Sequence, residues 1–259
     1  MDGCRPGWVQ KLWKLVSFTA VACFAFNFVP AGGWQWVDSH ALSKEWQQHW
    51  TSSPLQFDRP KIPAEGKIKL SETILSISRN NKVIVSYATI SVLDHLFNFL
   101  CHLKQLSLAK HVMVFAADQK VYDILRRKNI TAWPAYLSFE VEDPETERVH
   151  GSNAFASLSR LKIQLVLWVL NLNTGVEVFY SDVDIAILGD IFAHVESNIS
   201  SNVDIAFLSD NHVSVNGTRL QYQYLCTGFF FARPSKILVQ KLEEVVQYQH
   251  HPRNAKRDD

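Results

Sequence analysis

The stretch Ser159–Leu188, SRLKIQLVLWVLNLNTGVEVFYSDVDIAIL, decides the fold. Leu158, Leu161, Leu165, Val169 and Leu172 recur at helical spacing and predict an amphipathic helix over Ser157–Leu172. Gly175 stops it. Val176–Ser181 (VEVFYS) is short, apolar and aromatic, as a buried strand is, and it runs directly into Asp182-Val183-Asp184.

The same alternation extends in both directions. Lys82–Tyr87 and His111–Ala117 predict buried strands, separated by a helix over Val92–Leu106, and Lys120–Arg127 predicts a further helix. Downstream, Asp204–Leu208 and Phe229–Phe231 read as strands and Ser235–Gln247 as a closing helix. Strands separated by helices predict an α/β layer structure with a largely parallel sheet flanked by helices.

Three of these strands finish on an acidic residue: Asp118, Asp182 and Asp210. Open α/β sheets bind ligands beyond the carboxyl ends of their strands. A lone aspartate there also caps the helix that follows, and Asp118 before Gln119-Lys120-Val121 fits that role. Asp182 and Asp184 are different. On an extended backbone two carboxylates two residues apart project to one side, where they can share a hard divalent cation. Such an ion neutralises charge as a diphosphate leaves. A paired surface turn is the plain alternative. A phosphatase of the haloacid-dehalogenase type also begins with D-x-D at a strand end, but usually carries Thr or Val where this chain has Ala186.

Composition narrows the class. The 259 residues are 47% hydrophobic and 20% charged, with net charge +1, which leaves no basic excess for nucleic acid. Four cysteines are too few for a disulfide scaffold. Cys101 and Cys226 are the two positioned to pair in an oxidising lumen, or to remain separate thiols.

Leu15–Val37 carries no charged residue and is long enough to span a bilayer. Arg5, Lys11 and Lys14 precede it, so residues 1–14 form a cytosolic tail and the remainder is translocated. A cleaved signal peptide is the alternative for the same run, because Asn27, Pro30 and Gly32-Gly33 interrupt its second half. Residues 38–69, with Pro54, Pro60 and Pro63, read as a stem, and the globular domain is expected over 70–259. Sequons at Asn129, Asn198 and Asn216 agree with a luminal domain.

Beyond these readings, the 159–188 stretch, followed by NVDIAFLSD (202–210) and CTGFFFARPS (226–235), resembles the nucleotide-diphospho-sugar transferases of plants, algae and protists. These include arabinosyl-, xylosyl- and galactosyltransferase-like enzymes with a GT-A fold, a Rossmann-type sheet. HLFNFLCHLKQLSLAKHVMVFAAD (95–118) resembles the family's first helix and second strand.

The resemblance implies roles. Asp182 and Asp184 would hold Mn²⁺ or Mg²⁺ and the donor's ribose or diphosphate. Lys162, Gly228 and Arg233 would bind the donor, with Thr89 as a nucleotide contact. Asp210 would lie near sugar or acceptor and join Asp182 and Asp184 as a catalytic residue. Lys162 alternatively snorkels from the helix edge, and Arg233 alternatively serves a structural ion pair. The resemblance further implies a nucleotide-sugar donor, a glycan or glycoprotein acceptor, retention of configuration, and a single-pass type II Golgi membrane protein with its domain in the lumen. The family continues into an Asp-Gln-x-x-Asn element that this sequence lacks, so the domain reads as missing its C-terminal end. A non-catalytic luminal protein that binds glycan or a partner is the expectation from another class.

Overall fold

The computed structural model describes residues 35–36, 62, 64–137, 153–209 and 225–249. The chain divides into a larger unit, Trp36–Ala206 with Thr227–Asp259, and a smaller one, Met1–Gln35 with Phe207–Cys226. Of the smaller unit, the described residues are Gln35, Phe207–Ser209 and Leu225–Cys226. The account below concerns the larger unit, together with the strand ends Phe207–Ser209 and Leu225–Cys226 that the division assigns to the smaller one.

Its elements run α1 (Ala64–Ile77), β1 (Lys82–Ala88), α2 (Leu93–Gln105), β2 (Val112–Ala116), α3 (Gln119–Arg127) and β3 (Ala132–Pro134). There follow α4 (Asn153–Leu170), β4 (Glu177–Ser181), α5 (Ile191–Asn198), β5 (Ile205–Ser209), β6 (Leu225–Ala232) and α6 (Lys236–Gln249). The predicted strands and helices are all present within a few residues. The sequence reading missed α1, β3 and α5. Helix α1 begins at Ala64, before the expected boundary at Leu70, and Ile62 ahead of it is buried, so the fold's core reaches back into the predicted stem.

Strand order is β5-β6-β4-β1-β2-β3. β1 pairs in parallel with both β2 and β4, and β2 pairs in parallel with β3. β6 pairs antiparallel with β4, Ser181 opposite Phe229 and Val178 opposite Ala232. Strands β1 and β2 are buried along almost their whole length, as continuous apolar runs in a sheet covered on both faces should be. The chain goes one way from β1 to β2 and β3, then returns to lay β4 on the other side of β1. That reversal opens a crevice beyond the carboxyl ends of β1 and β4, the usual ligand position in such sheets.

Helix α4 is not the one-sided amphipathic helix that the leucine spacing predicts. Every residue from Leu161 to Leu170 is buried, Lys162 and Gln164 included. The helix packs against α6, β4 and β1, so that this ten-residue stretch is buried all round. It ends at Leu170, and in the loop that follows Asn173 and Gly175 take φ of +55° and +74°, conformations that Asn tolerates and Gly adopts freely.

Among the described residues no helix is long and apolar enough to cross a membrane. The run at 15–37 lies outside the described residues, apart from Gln35–Trp36, which are extended. Asp210, Asn216 and the end of the chain past Gln249 also lie outside them.

Candidate functional site

The site is built at the carboxyl edge of the sheet, where β1, β2 and β4 release their chains on the same side. Tyr180, one residue from the end of β4, is fully buried, and its ring stacks on Phe230 of β6 with centroids 5.2 Å apart. Its hydroxyl donates to Asp182 Oδ1 at 2.8 Å. Residues two apart on a strand share a face, so the strand itself delivers the phenol to the carboxylate. The Asp182 amide donates to the carbonyl of Gly228 at 2.7 Å, which extends the β4–β6 ladder one step past the strand.

Lys162, 7% exposed on α4, donates from Nζ to Asp182 Oδ2 at 2.6 Å. Both oxygens of Asp182 are thereby engaged. Burial pushes the Asp182 carboxyl above its ordinary range, while the Lys162 ammonium and the Tyr180 hydroxyl pull it back and the Asp184 charge adds to the rise. Burial also drives the Tyr180 phenol well above its usual range, with Asp182 next in effect, so Tyr180 remains a donor.

Past Asp182 the backbone leaves the extended conformation, and Val183 and Asp184 form a turn. The same-side argument made for an extended D-x-D therefore does not describe this pair. Val183 turns inward, 8% exposed, and Asp184 is exposed. Asp184 has no hydrogen-bond or ion-pair partner among the described residues, yet its charge is felt by both Asp182 and Tyr180. One carboxylate is thus held and half-buried, and the other is open to solvent beside it. No group of three or more His, Cys, Asp or Glu assembles as a metal cage among the described residues.

The neighbouring strand ends complete the edge. Thr89 follows β1 but is 2% exposed, and its hydroxyl pairs with that of the more accessible Ser91 at 2.8 Å. Asp118 follows β2 and caps α3, accepting from Val121 N at 2.8 Å as its sequence position predicts. Ser86 donates to the Ser181 carbonyl at 2.6 Å and locks β1 to β4 directly under the crevice.

Residues 107–258 match the family model of the nucleotide-diphospho-sugar transferases. The chain belongs to that family. The matched segment contains β2 through α6, and with them Lys162, Asp182, Asp184 and Gly228. Among its curated relatives is the UDP-D-xylose:L-fucose alpha-1,3-D-xylosyltransferase MGP4 of Arabidopsis thaliana, 28% identical over 224 residues that cover 81% of this chain and 61% of the relative. UDP-D-xylose:L-fucose alpha-1,3-D-xylosyltransferase 3 of the same plant is 27% identical over 190 residues, 70% of this chain and 48% of the relative. The chain thus spans about half to three-fifths of the length of these relatives.

Of the family-derived site residues, Lys162, Asp182 and Gly228 come together, with Asp184 and the Thr89 loop beside them. Arg233 does not join them. It stands at the opposite end of β6, where Nε donates to Glu177 Oε1 at 2.6 Å and Nη1 donates to the carbonyl of Val203 at 2.7 Å. The antiparallel pairing explains this, since it sets Gly228 beside Asp182 and Arg233 beside the first residue of β4. The sequence reading missed Tyr180 as the second clamp on Asp182. Its spacing of two from Asp182 on a strand was the available signal.

Proposed function

We propose that the chain is the donor-binding part of a metal-dependent glycosyltransferase, moving a sugar from a nucleoside diphosphate to a hydroxyl of a glycan or glycoprotein. The observation that carries this reading is the pairing of a clamped Asp182 with an exposed Asp184 at the switch point between β1 and β4. The relatives are named for UDP-D-xylose as donor and L-fucose as acceptor, which makes UDP-D-xylose the first donor to test.

The residues fit a divalent ion. Asp184 is open to solvent with its carboxylate unspent, and Asp182 lies close enough to respond to its charge. Mg²⁺ and Mn²⁺ sites commonly use one or two carboxylates and complete their oxygen shell with substrate phosphates and water. Asp184 would be the open ligand, with Asp182 beside it. A bound ion would neutralise the charge that develops on the leaving diphosphate. Lys162 offsets part of the effect of burial on Asp182, and its ammonium has three donors, of which Asp182 takes one. Tyr180 fixes the carboxylate's orientation. The Gly228 carbonyl sets how far Asp182 leaves the sheet. In a retaining transfer the C1–O bond to diphosphate breaks as the acceptor oxygen bonds to C1 on the same face, and the acceptor proton passes to the leaving phosphate.

The 15–37 run and its basic flank support a type II Golgi membrane protein with this domain in the lumen. Asn129 and Asn198 are exposed in the structure, as acceptors of glycan must be.

Calorimetric titration of Mn²⁺ with and without UDP tests the donor reading. Mn²⁺ alone should bind weakly and UDP should tighten it. By linkage Mn²⁺ should tighten UDP by the same factor. Asp184→Asn should abolish that coupling while the domain stays folded. Equal Mn²⁺ affinity with and without a panel of nucleoside diphosphates would overturn the reading.

A further inference from the structure

Asp118 does more than cap α3. It is 8% exposed, and its second oxygen, Oδ2, accepts from the Ile90 amide at 2.9 Å. Ile90 opens the 3-10 turn Ile90–Val92 that follows β1. Thr89 stands at the cap position of that turn, but its side chain makes no cap bond and pairs with Ser91 instead. The carboxylate from the end of β2 therefore supplies the acceptor that the turn's own cap residue withholds. One side chain caps two helical segments, α3 through Oδ1 and the turn after β1 through Oδ2. The backbone reinforces the tie, with Ala117 N donating to Ala88 O at 2.9 Å.

The turn after β1 forms one wall of the switch-point crevice, and β4 with Asp182 forms the other. We propose that Asp118 is a positioning residue for the nucleoside diphosphate. It touches no ligand. It holds the Thr89–Ser91 wall at the distance at which the crevice accepts the donor. The inference rests on the donor reading above and deepens it. Ile90 N–H has no carbonyl of its own segment to bond, because the first amides of a helical turn lack intrahelical partners. Without the carboxylate it is free to follow the loop away from α3.

The chemistry supplies a selective variant. Asparagine caps a helix about as well as aspartate, so Asp118→Asn keeps the bond to Val121. Its amide nitrogen cannot accept from Ile90, so only the tie to the first loop is cut. A loop that holds the binding-competent position a tenth of the time raises the apparent Kd about tenfold. Ile90→Pro removes the donor instead. Proline suits the first position of a helical turn, and Thr89 before it is already extended, with φ −99° and ψ 169°.

The experiment measures UDP affinity by calorimetry at saturating Mn²⁺, with amide hydrogen exchange over the loop. Asp118→Asn should weaken UDP about tenfold in the otherwise unchanged protein. It should have no further effect in the Ile90→Pro background, since the tie it cuts is already gone. Exchange of the amides after Ile90 should rise in Asp118→Asn while those of α3 stay protected. A faster-exchanging loop with UDP affinity unchanged overturns the positioning role and leaves the donor reading standing. Equal weakening by Asp118→Asn in both backgrounds also overturns it. An unaltered protein that binds no nucleoside diphosphate overturns the donor reading, and this inference with it.

Discussion

The ammonium of Lys162 stands 2.6 Å from Oδ2 of Asp182, a residue twenty positions further along the chain. Helix α4 and strand β4 carry the two partners, and the turn through Asn173 and Gly175 brings them face to face. The Lys162 side chain is 9% exposed and that of Asp182 is 24% exposed, so the pair lies at the margin between core and crevice.

Removal of one partner leaves the other charge in a poorly solvated place. Lys162→Met keeps the aliphatic bulk and deletes the ammonium. A fully buried pair broken in this way costs about 3–5 kcal/mol. The residual exposure of Asp182 lowers that, so a loss of roughly 2 kcal/mol is expected from the urea midpoint. Asp182→Asn should cost less, because an asparagine oxygen can still accept from the Lys162 ammonium, whereas Lys162→Met leaves the carboxylate with no cation. A larger loss in Asp182→Asn than in Lys162→Met would contradict the geometry.

Asp182 also sets a pH dependence with opposite signs for stability and binding. Its folded carboxyl lies above the ordinary range, chiefly through burial, so the native state binds this proton more tightly than the unfolded chain. Stability from this group is therefore full below the unfolded value and declines as pH rises through the folded one. Mn²⁺-dependent UDP binding needs the ionised form and should rise over the same window. Asp182→Asn should flatten that part of the stability curve. A stability contribution that grows with pH across this window would refute the assignment.

Asp190 behaves in the reverse sense. Its Oδ1 accepts from Phe192 N at 3.1 Å and Ala193 N at 3.3 Å at the start of α5, and its Oδ2 meets Arg79 at 2.7 Å. Burial pushes this carboxyl up, but the two amides and Arg79 prevail and hold it below the ordinary range. Its contribution is present above the unfolded value and lost as pH falls through the folded one. Asp190→Ala should lower stability by about 1 kcal/mol at neutral pH, the usual loss of a helix cap. The difference from the unsubstituted protein should vanish in acid, which denaturation at a series of pH values reads directly.

The sheet was legible because its strands are short apolar runs between turns and helices, and burial on both faces leaves no polar alternation to confuse them. Lys82–Tyr87 and Val176–Ser181 were found nearly to the residue. Helix α4 was legible as a helix but not in its surroundings. Its leucine spacing marks one face, while the Val166, Leu167 and Trp168 that fill the rest are visible only once α6 packs on it. Strand β3, Ala132–Pro134, was missed because three residues carry no period and their pairing with β2 is non-local. At the site, a short motif located Asp182 and Asp184 but could not show that the backbone turns between them. Nor could it show that an antiparallel strand would separate Gly228 from Arg233.

That separation yields the last prediction. Arg233 makes a bond to Glu177 Oε1 at 2.6 Å and bonds from Nη1 to the carbonyls of Ser200 and Ser201, each at 3.1 Å, and of Val203 at 2.7 Å. Its guanidinium also lies over the Phe231 ring, 5.3 Å from the centroid. The planar fork thus binds the loop after α5 to the first residue of β4, five residues from Asp182 and at the other edge of the sheet. Lysine has the charge but neither the fork nor the stacking plane. The Glu177 Oε2 atom is already buried without a hydrogen bond, with Lys82 Nζ 3.6 Å away. Arg233→Lys leaves that carboxylate poorly held and frees loop carbonyls, for an expected loss of roughly 2 kcal/mol by urea denaturation. Well below its unfolding temperature the variant should bind UDP with Mn²⁺ as tightly as the unsubstituted protein. Loss of UDP affinity at unchanged stability would return Arg233 to the donor site that its family segment implies.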